Sequence, residues 1–179
     1  MQRIKTASHA LYLFFRALCF IIPSVTAYLV LFHLDSMVKF GVWDSLISQS
    51  QIYQHDFSLG HRFIILLVDI IPLSITLLIC HQLAKLFRLY EHGFLFEQDN
   101  IRFIKRIGLL MIAGEGVQLI YQPLITAALT FNNPVGERLA SIGLGTTNAT
   151  TLITGFIILI ASWIVQEAHQ LKTEVQLTI

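Results

Sequence analysis

Four long apolar stretches alternate with polar connections along the chain. The first runs from about Leu11 to Leu34 and is interrupted only by Arg16 near its start. The second covers Phe63 to about Leu83, the third Ile107 to Phe131, and the fourth centres on Leu152 to Val165 within the uncharged interval between Arg138 and Glu167. A helix needs about 20 apolar residues to cross roughly 30 Å of hydrocarbon, because each backbone amide must be satisfied inside its own segment. The pattern therefore predicts an all-α fold: an integral membrane bundle of four transmembrane helices, spanning about 11–34, 63–83, 107–131 and 152–166. They form one membrane domain over 1–179, with connections at 35–62, 84–106 and 132–151. Arg3, Lys5 and Arg16 before an apolar run also suit a secretory leader, but the run continues through Tyr28-Leu29-Val30-Leu31-Phe32, so the segment is read as a retained span.

Composition supports this class. Of 179 residues, 55% are hydrophobic and 13% charged, and the mean hydropathy of +0.68 lies outside the balance of an aqueous globular domain. Twelve basic and eleven acidic residues leave a net charge of +1, which argues against direct nucleic-acid binding through a basic face. Cys19 and Cys80 fall inside apolar runs without metal or redox spacing and read as buried thiols.

The distribution of charge says more than its sum. Arg3, Lys5 and Arg16, then Lys85, Arg88, Arg102, Lys105 and Arg106, then Lys172 share one set of span ends. Only Lys39, Arg62 and Arg138 belong to the other. Cytoplasmic connections are enriched in Lys and Arg, so both termini and the 84–106 connection are expected inside, and 35–62 and 132–151 outside. Trp43, Leu46, Ile47, Ile52 and Tyr53 suit either an interfacial segment or an ordinary loop.

Ionisable groups within a span cost about 2.5 to 3.5 kcal/mol at the centre on insertion scales and generally face a partner or water. Asp69 and Glu115 are therefore the candidate intramembrane polar site. At 1.5 Å per residue they are separated by roughly 9 Å along the membrane normal, too far for a shared proton. They read first as structural groups held by neighbouring hydroxyls and amides, and alternatively as the relay of a small ion- or proton-coupled transporter or channel subunit. Pro72 and Pro123 are expected to kink their spans, and Gly114-Glu115-Gly116 is expected to form a packing notch. His33, His55 and His61 with Asp35 and Asp56 have metal-binding chemistry but no compact ligand spacing. No metal, cofactor or catalytic residue is assigned: G-x-S-x-G, the P-loop and H-E-x-x-H are all missing from the sequence. The chain is read as non-enzymatic.

The connection after the second span is the most distinctive segment. Gly93 suits the end of one helix, and Asp99 or Asn100 the cap of the next. Arg102, Lys105 and Arg106 then fall at i, i+3 and i+4, forming one basic helical face suited to anionic lipid or an acidic partner. At these residues the chain resembles the bacterial four-span membrane family known as domain of unknown function 2975. The resemblance rests on G-F-x-F-x-x-x-N-I from Gly93 to Ile101, on the Ile107-Gly108 pair, and on the ending Leu171 to Ile179, similar to the family's L-x-x-E-x-x-L-T-[IV]. Glu97 stands where Ser or Thr is expected, and Val175-Gln176 replaces a more polar pair. The resemblance implies a bacterial inner-membrane location and relatives often encoded beside a small helix-turn-helix regulator, and it implies no activity. The sequence is thus read as a multi-pass regulator or adaptor. Its expected contacts, to a partner or to the lipid bilayer, are Arg102, Lys105 and Arg106 with Glu174, Leu177, Thr178 and Ile179 of the tail. Homo-oligomerisation is left open.

Overall fold

The computed structural model describes residues 2–52, 57–94, 97–143 and 145–177. They form four helices, α1 (Gln2–Lys39), α2 (Leu59–His92), α3 (Gln98–Leu129) and α4 (Thr146–Leu177), with a 3-10 turn at Gln49–Gln51 and no strand among the described residues. The helices run past the apolar stretches that predict them, because helical hydrogen bonding continues after the side chains turn polar, except that α3 stops at Leu129, two residues short of Phe131. Most of the expected 84–106 connection is therefore helical, as α2 ends at His92 and α3 begins at Gln98.

Three helical stretches are long and apolar enough to cross a membrane: Ile4–Lys39, Leu59–His92 and Asn148–Gln170. The third helix, α3, is equally long but carries Glu115, Gln118 and Gln122 in the corresponding stretch. Large apolar side chains point outward, among them Phe20 at 69%, Phe32 at 67% and Ile164 at 64% exposure. A soluble monomer rarely exposes so much contiguous apolar surface, so lipid is the solvent that suits these faces.

The chain divides into two compact units. The first contains Met1–Phe20, Ile75–Ala113 and Thr146–Ile179, and the second Ile21–Ser74 and Gly114–Gly145. Sorting the ionisable residues by unit gives nine basic against five acidic in the first, a net +4, and three against six in the second, a net −3.

In the first unit the start of α1 packs on the end of α2 through stacked Phe15 and Phe87, ring centres 5.6 Å apart, and a 2.9 Å His9–Glu91 contact. Gly93 closes α2 at φ +90°. Its N–H donates to the Tyr90 carbonyl at 3.1 Å and Phe94 N–H to that of Leu89 at 3.1 Å, the paired bonds of a Schellman ending, which favours glycine at the left-handed position. Asn100 does not cap α3, which begins two residues earlier. Its buried side-chain amide instead donates to the Phe94 carbonyl at 2.5 Å, tying the start of α3 back to the end of α2. Further along, α3 meets α4 at a pair of glycines. A Cβ on Gly108 would stand 3.0 Å from the Gly155 carbonyl oxygen, and one on Gly155 would stand 3.2 Å from that of Gly108. Small residues are what allow two helix backbones to approach this closely. Gly116 of the Gly114-Glu115-Gly116 triplet makes no such approach, since a Cβ there would meet nothing within 4 Å.

The second unit has the larger apolar core. Val30, Leu34 and Val38 of α1 and Tyr121, Ile125 and Leu129 of α3 recur at helical spacing and each bury one stripe, joined by Ile65 of α2. Trp43, Ile47, Ile52 and Phe57 from the α1–α2 connection fill the space among them. That connection is thus core-forming, with Trp43, Ile47 and Ile52 turned into the protein and not toward a lipid interface; Tyr53 lies outside the described residues. Helical dihedrals break at His33 (φ −129°, ψ 24°), while Pro72 and Pro123 are carried inside α2 and α3. Arg62 fixes the connection to both helices, donating to the Asp35 carboxylate at 2.7 Å, the Leu31 carbonyl at 3.0 Å and the Phe57 carbonyl at 3.1 Å.

A polar ladder holds the connection after α3. Gln122, Thr126 and Thr130 recur every four residues along α3, and their side-chain oxygens accept the backbone N–H groups of Gly143 at 2.7 Å, Ser141 at 3.0 Å and Leu139 at 2.9 Å. Four helical residues rise about 6 Å and two extended residues about 6.6 Å. The two repeats therefore stay in step, and a helix face satisfies an extended strand of chain that has no sheet to join.

Candidate functional sites

The first candidate site lies in the first unit, where the opening turns of α3 meet the Gln166–Gln170 turns of α4. Gln98, Ile101, Arg102 and Lys105 face Gln166, His169 and Gln170 across a cavity of about 260 Å³. Ile101 is buried at its base. The i, i+4, i+7 spacing of Gln98, Arg102 and Lys105 aims three polar side chains the same way, and α4 brings imidazole and amide groups opposite. Arg102 also reaches Asp99 at 3.4 Å, a long, exposed contact that restrains the guanidinium only weakly. Of the three basic residues expected to act together, Arg102 and Lys105 line the cavity, whereas Arg106 is exposed and does not. Glu174 and Leu177 fall on the final turns of α4, and Thr178 and Ile179 lie outside the described residues. Nothing in the sequence spacing foretold His169 and its neighbours, because they are about seventy residues downstream and meet α3 only through tertiary packing.

The second candidate site is buried in the second unit. Trp43 Nε1–H donates to the Tyr121 hydroxyl at 3.2 Å, and that hydroxyl donates to Asp69 Oδ1 at 2.8 Å. All three residues are buried, Asp69 and Tyr121 at 8% exposure and Trp43 at 5%. The fold thus supplies Asp69 with Tyr121 as its partner, six residues along α3 from Glu115 or about 9 Å of helix. Glu115 itself is half-buried. Chemically, the arrangement is a hydrogen-bonded chain that crosslinks α2, α3 and the α1–α2 connection. Tyr121 was not singled out in the sequence; its signal is a phenol on the same α3 stripe as Ile125 and Leu129.

The residues with metal-binding chemistry are otherwise engaged. His61 contacts the Ala128 carbonyl at 2.6 Å, His33 the Tyr28 hydroxyl at 3.2 Å, and Asp35 pairs with Arg62. His55 and Asp56 lie outside the described residues, and among the described ones no group of three metal-binding side chains gathers. Cys19 is half-buried and Cys80 buried, both as free thiols.

No curated protein and no solved structure matches the chain significantly. The model of the family described as protein of unknown function (DUF2975) matches residues 6–179, almost the entire length. That span includes the Gly93 helix ending, the Asn100 tie and the Gly108 crossing, and the chain belongs to this family.

Proposed function

We propose that this chain is a four-span protein of the bacterial inner membrane, with both ends cytoplasmic, and that it works as a non-enzymatic regulator or adaptor. An acidic segment of a cytoplasmic partner docks in the cavity formed by α3 and α4. One observation carries the reading: Arg102 and Lys105 converge with Gln166, His169 and Gln170 on a single polar cavity. Guanidinium and ammonium donors beside amide groups suit a carboxylate, which accepts charge-assisted bonds.

The orientation draws support from the nine Lys and Arg of the unit that holds both chain ends, against three in the other. Support for α3 as the fourth span comes from its polar ladder. Gln122, Thr126 and Thr130 are all buried and hydrogen-bonded, which offsets most of the cost of placing them in hydrocarbon. The family resemblance suggests the partner, a small helix-turn-helix regulator. The transporter reading through Asp69 and Glu115 has less behind it, because the Asp69 carboxylate is committed to Tyr121.

A photo-crosslinker at Gln170 tests the proposal. With the parent cavity it should capture the regulator in native membranes. Arg102→Gln with Lys105→Gln should cut the yield tenfold or more at unchanged abundance, since hydrogen bonds to charged groups are worth about 1.5–3 kcal/mol each. Equal capture by the double variant would exclude the cavity as the docking site.

A further inference from the structure

A second cavity in the first unit, built by α1 and α2, has a chemistry that neither the family assignment nor the adaptor reading uses. It measures about 360 Å³ and is lined by Tyr12, Arg16, Cys19 and Phe20 of α1 with His81, Ala84, Lys85 and Arg88 of α2. Two guanidinium groups converge on one aromatic ring: Arg16 lies 6.0 Å from the centre of the Tyr12 ring and Arg88 5.8 Å from it. Arg16 Nη1 also donates to the Tyr12 hydroxyl at 2.8 Å, which fixes its head group at the cavity wall. Lys85 lies one turn from Arg88 on the same face.

Two arginines and a lysine thus share one cavity, and no carboxylate lines it. Glu91, one turn beyond Arg88, is turned to His9. Among the described residues none of the three cations forms an ion pair with a carboxylate. Like charges gathered at the edge of an apolar segment repel one another, and an anion relieves that repulsion. Fixed guanidinium forks match phosphate oxygens bidentately, with a lysine as an added point charge. The rest of the wall is largely apolar, Cys19, Phe20 and Ala84 with the His81 imidazole among them, and Phe20 is 69% exposed. Cations at one end and apolar surface at the other describe an amphiphile with an anionic head.

We infer that this cavity binds the phosphate of an anionic membrane phospholipid, gripped by Arg16, Lys85 and Arg88, with an acyl chain lying over Phe20 and Ala84. The cavity is large enough for a phosphate and glycerol head, falling within the roughly 300–1,000 Å³ of small-molecule sites. The bound lipid would stitch the Tyr12–Phe20 turns of α1 to the His81–Arg88 turns of α2 through a shared counter-ion.

The test is native mass spectrometry on the full chain in a neutral detergent, titrated with phosphatidylglycerol and separately with phosphatidylcholine. The parent should hold one phosphatidylglycerol at least tenfold more tightly than phosphatidylcholine. Arg16→Gln/Lys85→Gln/Arg88→Gln should abolish that preference. Lys5→Gln/Lys39→Gln/Lys172→Gln, with the same loss of charge elsewhere, should retain it. Equal loss in both triple variants, or retention in both, would overturn the site. Inorganic phosphate, added as a separate probe, should bind at least tenfold more weakly than the lipid; equal affinity would overturn the lipid assignment. Should the first triple variant misfold, single Arg88→Gln and Arg88→Lys proteins give the same reading, with the preference reduced in both and more so in the former; an unchanged preference in Arg88→Gln would overturn the site.

Discussion

Replacing Gly108 with leucine is expected to unseat α4 from α3 and to cost the protein most of its folded population in detergent. The backbones of the two helices meet there, with the Gly155 carbonyl oxygen 3.0 Å from where a Cβ would stand and Leu159 atoms at 3.0 and 3.1 Å. A single methyl would already require a shift of a few tenths of an ångström. An isobutyl group cannot be absorbed by side-chain adjustment, because the first obstacle is backbone. Overpacking typically costs about 1–3 kcal/mol and more where main chain must move, so the effect should exceed that range. Gly116 provides the matched control. It lies on the same helix with open space around its Cβ position, and leucine is the better helix former by nearly 1 kcal/mol. Thermal unfolding should therefore fall sharply for Gly108→Leu and stay level or rise for Gly116→Leu. A pair of variants with equal melting temperatures would show that the close crossing does not organise the first unit.

The second large effect is expected at Tyr121. Its hydroxyl both accepts from Trp43 and donates to Asp69, so Tyr121→Phe orphans a buried indole N–H and a buried carboxyl at once. Leaving a buried polar group unpaired costs about 1–3 kcal/mol, and two such groups place the variant among the more severe single substitutions. Asp69→Asn behaves differently, because the amide oxygen still accepts from the phenol. Its stability and membrane accumulation should stay close to the parent, and proteoliposomes carrying it, or Glu115→Gln, should show no lost ion flux. A pH-driven flux in the parent, abolished by Asp69→Asn with folding intact, would transfer the functional centre to this chain of hydrogen bonds.

These contrasts mark where the sequence was readable. Apolar runs located all four helices, since hydrocarbon and buried core impose the same demand on a contiguous segment. Gly93 was readable as a helix end because a left-handed residue after a helical stretch is a local requirement. Asn100 was visible as a marked position but misassigned: its role as a tie to the Phe94 carbonyl depends on the turn that brings two helix ends together. The same limit applies to the core residues Trp43, Ile47 and Ile52, whose apolar character is compatible with a lipid interface until tertiary packing places them against Ile65 and Ile125. The ladder of Gln122, Thr126 and Thr130 was legible in principle as a four-residue period. Its complement is a backbone segment, however, and backbone leaves no trace in composition. For the candidate cavity the division is equally physical: Arg102 and Lys105 share a face by local helical geometry, while His169 and Gln166 join them only through the α3–α4 crossing at Gly108 and Gly155.

The account rests on the unit bearing both termini and the α2–α3 turn facing the cytoplasm, where a soluble partner can reach it. Single cysteines at Glu97 and Val135, introduced after Cys19→Ser and Cys80→Ala, measure this directly in intact cells with a membrane-impermeant thiol reagent. Both positions are exposed in the fold, Val135 at 92%. The cysteine at 135 should label at once and the one at 97 only after permeabilisation. Labelling at 97 in intact cells, with 135 protected, would invert the topology and remove the cytoplasmic docking site.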